Sequence, residues 1–141
     1  PGEGEVISSQ PTLTVMKATR EMTGGAFSLS EATIPPGFAG PPPHSHRELT
    51  DTFYVLEGTL TVRVGDETIE APPGSYLVVP PGVVHTFSNP GDSEVRILNL
   101  NAPGGWEDYL RDITKLFAGG RQPTPEEWQE VMSKYDFVPA T

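Results

Sequence analysis

Short stretches of alternating apolar and polar residues fill most of the chain, and this period of two is typical of half-buried β-strands. Three such stretches precede residue 35 and predict two or three edge strands, at residues 5–9, 12–17 and 26–34. In the third stretch, Phe27, Leu29 and Glu31 share one side of the strand. We therefore expect this part of the chain to lie at the edge of a sheet.

Proline and glycine crowd residues 35–43, where missing backbone donors and fixed φ angles exclude a central strand or a helix. We predict a loop there, and then closely spaced strands at residues 51–57, 59–64, 68–71, 75–79, 83–88 and 94–100. Alternation predicts an interior position for Phe53, Val55, Leu77, Val79, Phe87 and either Leu98 or Leu100. Tyr54 and Tyr76 have the opposite register, so we expect them to face outward or toward a partner subunit.

The period changes after Gly104. Apolar residues then recur at helical spacing, at Trp106, Tyr109, Leu110, Ile113, Leu116 and Phe117. The other faces of this predicted helix carry Glu107, Asp108, Arg111 and Asp112, and Gly119-Gly120 ends it. A second helix is predicted from a capping box of Thr124 and Glu127 around Pro125, with Trp128 on its apolar stripe. We expect Trp106 and Trp128 to pack against the rest of the domain.

Composition favours one domain that consists mostly of strands. The 141 residues fit a single core, and 15 glycines with 16 prolines favour short elements joined by tight turns. We predict one domain over residues 1–141, with the strands at about 5–102 and a helical C-terminal extension at about 104–136. The predicted fold class is all-β, an antiparallel β-barrel of the jelly-roll kind with two C-terminal α-helices.

Charge restricts the partners of this domain. The formal net charge is −10, from 19 acidic and 9 basic residues. Such a surface repels phosphate backbones and anionic lipids, so we expect no nucleic acid and no membrane as partner. No run approaches the ~18 apolar residues of a membrane span, and no basic-then-apolar leader is present. We expect a soluble, cytoplasmic protein, with a signal removed before Pro1 as the alternative.

Three histidines carry the candidate chemistry. The chain has no cysteine, which leaves histidines and carboxylates as metal ligands. His44 and His46 are two residues apart, so on a strand they point to the same side, and His85 begins a later strand. We predict a metal site of these three histidines, completed by Asp51 or Glu48.

Two segments resemble the two motifs of the cupin superfamily. The first runs Gly40, Pro41-Pro42-Pro43, His44-Ser45-His46, Asp51 and Gly58. The second runs Gly74, Pro80-Pro81-Gly82, His85 and Asn89, and it matches the motif at every position. The 15 residues between Gly58 and Gly74 resemble the spacing of compact bacterial cupins, and the resemblance covers about residues 24–100. It implies a double-stranded β-helix that binds one divalent transition metal.

The first motif departs from the family in two ways. Three prolines precede the histidine pair where the family usually has one residue of proline character, which suggests a stiff rim at the barrel mouth. The acid is normally glutamate, and Asp51 is shorter by one carbon–carbon bond, ~1.5 Å. It can ligate directly if its strand lies further inward, hold the metal through water, or leave a position open. Strand alternation puts Glu48 on the histidine face as the competing ligand, but motif spacing favours Asp51.

The resemblance implies a metal-dependent enzyme acting on a small, ring-bearing organic molecule, with a quercetinase-like dioxygenase as the first hypothesis. A polyketide-cyclase-like or isomerase-like cupin and a non-catalytic small-molecule-binding barrel are the alternatives. Three imidazoles and one carboxylate suit Fe, Mn, Ni, Co, Cu or Zn better than Mg or Ca. The sequence indicates no further catalytic residue and no organic cofactor, and a homodimer is the oligomer that we consider.

Overall fold

The computed structural model describes residues 4–9 and 12–140, and more of these residues lie in strands than in helices. The strands are β1 (Val6–Ser9), β2 (Thr12–Ala18), β3 (Ser28–Ile34), β4 (His44–Ser45), β5 (Thr50–Glu57), β6 (Leu60–Val64), β7 (Glu67–Ala71), β8 (Tyr76–Val79), β9 (His85–Ser88), β10 (Val95–Ala102) and β11 (Val138–Pro139). The α-helices are α1 (Trp106–Leu116) and α2 (Pro125–Ser133).

All the strand pairs are antiparallel, and they form two sheets. The larger sheet has the order β1-β2-β3-β10-β5-β8, and the smaller one has the order β11-β4-β9-β6-β7. Strands that are distant in sequence are neighbours in both sheets, as in a jelly roll. The predicted all-β class with two C-terminal helices is therefore confirmed, and most strand boundaries agree with the prediction to within two residues.

The core lies between the two sheets. Its fully buried members include Ile34, Phe53, Val55, Leu60, Val62, Val79, Val95 and Ile97. Burial of each large side chain of this kind contributes roughly 1.5–3 kcal/mol to the free energy of folding. On β5, Asp51 faces the same interior as Phe53 and Val55, one step nearer the end of the strand. The candidate site thus lies at one end of the core, on strands that the core holds in place.

Two predictions about the strands are wrong. Of the strands expected at an edge, only β1 lies there, since β2 and β3 lie inside the larger sheet. Leu29 and Glu31 share one face of β3, as predicted, but it is the less buried face, and Ser28, Ser30, Ala32 and Ile34 are buried on the other. In β10 the core residues are Val95 and Ile97, whereas Leu98 and Leu100 are only half-buried. The apolar pair at 97–98 fits either face, and the polar residues at 99 and 101 take the interior positions beside Asp51.

Tyr54 and Tyr76 face outward, as predicted, with 39% and 57% of their surfaces exposed. Leu77 and Phe87 pack against the core but remain partly exposed. Neither helix in the described part of the chain combines the length and the apolar character needed to cross a membrane.

The two helices form a second apolar cluster around Tyr109, Ile113, Val131 and Phe137. The predicted capping box begins α2, because Thr124 accepts from the Glu127 amide while the Glu127 carboxylate accepts from the Thr124 amide. Both tryptophans pack in this region, as predicted.

We expected Glu107 on a polar face of α1, but only 2% of this residue is exposed. Its carboxylate accepts hydrogen bonds from the Ser28 hydroxyl at 2.5 Å and from the Arg20 amide at 2.8 Å. Burial raises the pKa of Glu107, but these hydrogen bonds lower it by more, so the pKa lies below its ordinary value. The buried carboxylate therefore ties the start of α1 to β3.

Candidate metal centre

Four predicted site residues meet at one end of the jelly roll. His44, His46, Asp51 and His85 each offer a donor atom, and these atoms lie within 4.8 Å of one another. The side chains are well buried, with residue exposures of 4%, 3%, 7% and 1% in that order. His44 and His85 are direct partners across β4 and β9, whereas Asp51 lies on β5 of the other sheet. The cluster therefore joins the two sheets.

The proline-rich loop at residues 35–43 packs closely against β9 and leads directly into His44. Gly40 has a φ of +94°, and a Cβ atom on it would lie 2.0 Å from the carbonyl oxygen of Phe87. The Thr86 hydroxyl donates to the Pro41 carbonyl at 2.7 Å. Only glycine allows this approach without moving the loop, which gives a structural reason for a glycine shortly before the histidine pair.

Hydrogen bonds orient all three imidazoles in the same way. The Nδ1 atom of each histidine lies 2.5–3.0 Å from a backbone carbonyl oxygen. The acceptors of His44, His46 and His85 are, in that order, the carbonyls of Pro42, Asp136 and Val83. Because a carbonyl can only accept, Nδ1 carries the proton, and in a neutral ring the lone pair is then on Nε2. This second layer of contacts is typical of metal-binding histidines.

The Nε2 atom of His46 is buried and has no hydrogen-bond partner. A buried polar atom without a partner is costly, and few native proteins leave one without reason. A divalent ion beside Nε2 would satisfy it. The donor set therefore fits a transition metal, and nitrogen-rich sites of this kind favour the ions from Mn to Zn over Mg and Ca.

Asp51 divides its two oxygens between different partners. Its Oδ2 atom lies 2.9 Å from His85 Nε2 and 3.7 Å from His46 Nε2. Its Oδ1 atom accepts hydrogen bonds from Asn99 at 2.8 Å and Asn101 at 2.7 Å. Burial raises the pKa of Asp51, but its contacts with His46 and His85 and the hydrogen bond from Asn99 outweigh this effect and hold the pKa well below its usual range. The group is therefore a carboxylate.

Glu48 lies outside this cluster and is exposed. The chain bends after His46, where the carboxylate of Asp136 accepts hydrogen bonds from the amides of Arg47, Glu48 and Leu49. Strand alternation therefore does not continue from His46 to Glu48. Of the two acids considered from the sequence, the structure brings only Asp51 to the histidines.

Burial and neighbouring groups give His44 and His46 different pKa values. Burial lowers the pKa of His44 to about 4, so this ring is neutral at ordinary pH. Burial also lowers the pKa of His46, but the nearby Asp51 carboxylate and the hydrogen bond to the Asp136 carbonyl raise it by more, and the pKa lies above its ordinary value.

Aromatic residues from the C-terminal part of the chain cover the histidines. The ring of Phe137 stacks on His44 with centroids 4.3 Å apart, and Trp106 meets His46 edge-on at 5.1 Å. Tyr109 stacks on both Trp106 and Phe137. We call Trp106, Tyr109 and Phe137 the aromatic cover. The sequence predicted packing for Trp106, but its contact with His46 and the role of Phe137 were missed because no motif spacing links them to the histidines.

A surface cleft of about 290 Å³ lies beside this cover. Its lining includes Leu49, Trp106, Lys134 and Asp136. Because Trp106 also contacts His46, this side chain stands between the cleft and the histidine cluster.

The fold and the site define a jelly-roll protein with a buried cluster of three imidazoles and one carboxylate. The chain belongs to the cupin family, since the model of the Cupin domain matches residues 30–101. A quercetin 2,3-dioxygenase of Bacillus subtilis is 29% identical over 119 residues, which is 84% of this chain and 34% of that protein. Germin-like protein 5-1 of Oryza sativa is 33% identical over 55% of this chain and 38% of its own length. The chain thus spans little more than a third of either relative.

Solved structures confirm the fold. KdgF from Halomonas sp. superposes with a TM-score of 0.64 at 17% identity, over 74% of this chain and 90% of that one. The polyketide cyclase RemF from Streptomyces resistomycificus gives a TM-score of 0.58 at 26% identity, over 72% of this chain and 70% of that one. The proteins similar to this chain therefore include enzymes with different reactions.

Proposed function

We propose that this protein is a metal-dependent cupin enzyme that acts on a small, ring-bearing organic molecule, as a dioxygenase of the quercetinase-like kind. The observation that carries the proposal is the buried donor cluster, in which His46 Nε2 has no hydrogen-bond partner. The similarity to a quercetin 2,3-dioxygenase over 84% of the chain supports the choice of reaction.

His44, His46, Asp51 and His85 would hold the ion. Such an ion supplies Lewis acidity and, if it is redox-active, activation of dioxygen. In the proposed reaction both atoms of dioxygen enter the organic product and the substrate provides all four electrons, so no further reductant is required. The remaining requirements on the chain are to orient a flat molecule and to exclude water.

The aromatic cover is suited to both tasks. The ring planes of Trp106 and Phe137 differ by only 18°, and those of Tyr109 and Phe137 by 12°. Nearly parallel rings can stack on a flat aromatic molecule. Since the three histidines are under 5% exposed, neighbouring groups must move before a substrate reaches the donor cluster, and the aromatic cover is the part that we propose to move. The cleft beside Trp106 is the route that we propose for its entry.

Oxygen uptake tests the reaction. The full chain is reconstituted separately with Fe, Mn, Ni, Co and Cu and is offered flavonols, polyphenols and small enols in an oxygen-electrode cell. We expect metal-dependent oxygen consumption that His46→Ala abolishes and that Glu48→Ala, a change at the exposed acid two residues away, retains.

A cyclase-like or isomerase-like reaction is the second candidate, because RemF shares this fold at 26% identity. Turnover that continues unchanged under anaerobic conditions would favour that candidate and exclude the dioxygenase. Measurable ligand binding with no turnover for any metal would favour a non-catalytic binding protein.

A further inference from the structure

Asp51 reaches the histidines with a short side chain, and two asparagines of β10 hold it there. Asn101 lies directly opposite Asp51 in the pairing of β10 with β5, and Asn99 lies one interior position further along. Both side-chain amides donate to the same carboxylate oxygen, Oδ1, at 2.7 and 2.8 Å. Opposite and diagonal neighbours on one sheet face are near enough for such contacts.

The orientation of the Asn99 amide is fixed by its second partner. Its Nδ2 atom also donates to the backbone carbonyl of Thr52 at 2.8 Å. The two hydrogens of one NH₂ group thus serve two groups that only accept, the carbonyl and the ionised carboxylate. An amide turned by 180° would place oxygen against oxygen at both contacts, so Asn99 has one favourable orientation.

Because Oδ1 accepts from both asparagines, only the Oδ2 atom of Asp51 faces the histidines. The terminal torsion of an aspartate is normally broad, so a free carboxylate exchanges its oxygens easily. Two donors on Oδ1 oppose that rotation and keep Oδ2 directed at His46 and His85. We propose that Asn99 and Asn101 are positioning residues that fix Asp51 as a one-oxygen metal ligand through Oδ2, an inference that rests on the proposed metal site.

Asn89 provides a matched comparison within the same chain. It is also buried, at 1% exposure, and its Nδ2 atom has three acceptors. All three are backbone carbonyls, those of Ile34, Pro35 and Ser93. Asn89 therefore joins loops, whereas Asn99 and Asn101 act on a side chain of the donor cluster.

Cobalt binding tests the proposal without any assay of activity. Co(II) is titrated into the full chain against a competing chelator, and the visible absorption of the bound ion reports its coordination. For Asn101→Leu and for Asn99→Leu we expect 10- to 100-fold weaker binding and shifted absorption bands, a range typical of lost contacts behind metal ligands. Asn89→Leu should lower the melting temperature and leave cobalt affinity and spectrum unchanged.

A double-mutant cycle separates positioning from general destabilisation. In an Asp51→Ala background, Asn101→Leu should produce no further loss of cobalt affinity, because the group it positions is absent. Wild-type affinity and spectrum in both asparagine variants, or a full Asn101 effect in that background, would overturn the inference while leaving the metal site intact. If Asn101→Leu does not fold, the half-buried Asn99→Leu gives the same test. A wild-type chain that binds no cobalt would instead overturn the proposed metal site itself.

Discussion

The contrast between two acids, Asp51 and Glu48, shows how a single position can decide the chemistry of the site. The carboxylate of Asp51 is buried, ionised and held among the histidines, whereas that of Glu48 is in solvent. The two are only three residues apart, and the bend that Asp136 stabilises separates their environments.

Removal of each acid should therefore have unequal effects. We expect Asp51→Ala to weaken divalent-metal binding at least tenfold, because it removes one donor and leaves the amides of Asn99 and Asn101 without their shared acceptor. Glu48→Ala should leave the affinity within about twofold. Chelator-competition titration of both variants measures this, and the reverse order of effects would assign the ligand role to Glu48.

Metal affinity should also depend on pH through His46. Its pKa lies above its ordinary value, so protons compete with the metal from a higher pH than a free imidazole would allow. His44 adds no competition until far lower pH, since its pKa is about 4. We expect the apparent affinity to fall about tenfold per pH unit below the pKa of His46. Calorimetric titrations between pH 5.5 and about 8.5 test this, and a constant affinity across the range would contradict it.

At the level of elements, β11 and the segment before it act on the site directly. β11 pairs with β4 beside His44, and the Asp136 carbonyl accepts from His46 Nδ1 at 2.5 Å. Phe137, between these contacts, is 6% exposed and stacks on His44. The C-terminal extension therefore belongs to the donor cluster as well as to the helical cluster.

Loss of the Phe137 ring should open the site. We expect Phe137→Ala to release a bound metal to a chelator several-fold faster than wild type, because the cover over His44 is removed. Trp128→Ala is the matched control: it removes an aromatic side chain that packs on Phe117, away from the histidines. Both changes should destabilise the fold, Phe137→Ala by about 3–5 kcal/mol and Trp128→Ala by less, because Trp128 is only partly buried. Equal release rates in stopped-flow chelation would show that Phe137 does not limit access.

Local patterns predicted β1–β3, β5–β10, both helices and a donor set of three histidines with Asp51 or Glu48, because period, turn residues and motif spacing are properties of neighbouring positions. They did not predict β11. These patterns carry no information on contacts between residues that are distant in sequence. The sequence singled out neither Asn99 nor Asn101, and only the register of β10 against β5 places them at Asp51. The same limit explains the wrong face of β10, since an apolar run fits either side of a strand until its partner strands are known.

For the whole molecule, the donor cluster matters because it joins the two sheets, with His44 and His85 on one and Asp51 on the other. Any ion bound there would stabilise the folded state, by about 2.7 kcal/mol when its concentration is 100 times its dissociation constant. The homodimer and the cytoplasmic location stay predictions. The central claim is that this cluster is a metal site.

Elemental analysis tests that claim most directly. The full chain is purified without a chelating tag, incubated with a mixture of Mn, Fe, Co, Ni, Cu and Zn ions, and freed of unbound metal before measurement. The account predicts one divalent transition metal per chain in the wild type and a large loss in His85→Ala, because each donor belongs to a small closed set. A wild-type chain that retains no metal, or His85→Ala with full metal content, would contradict it.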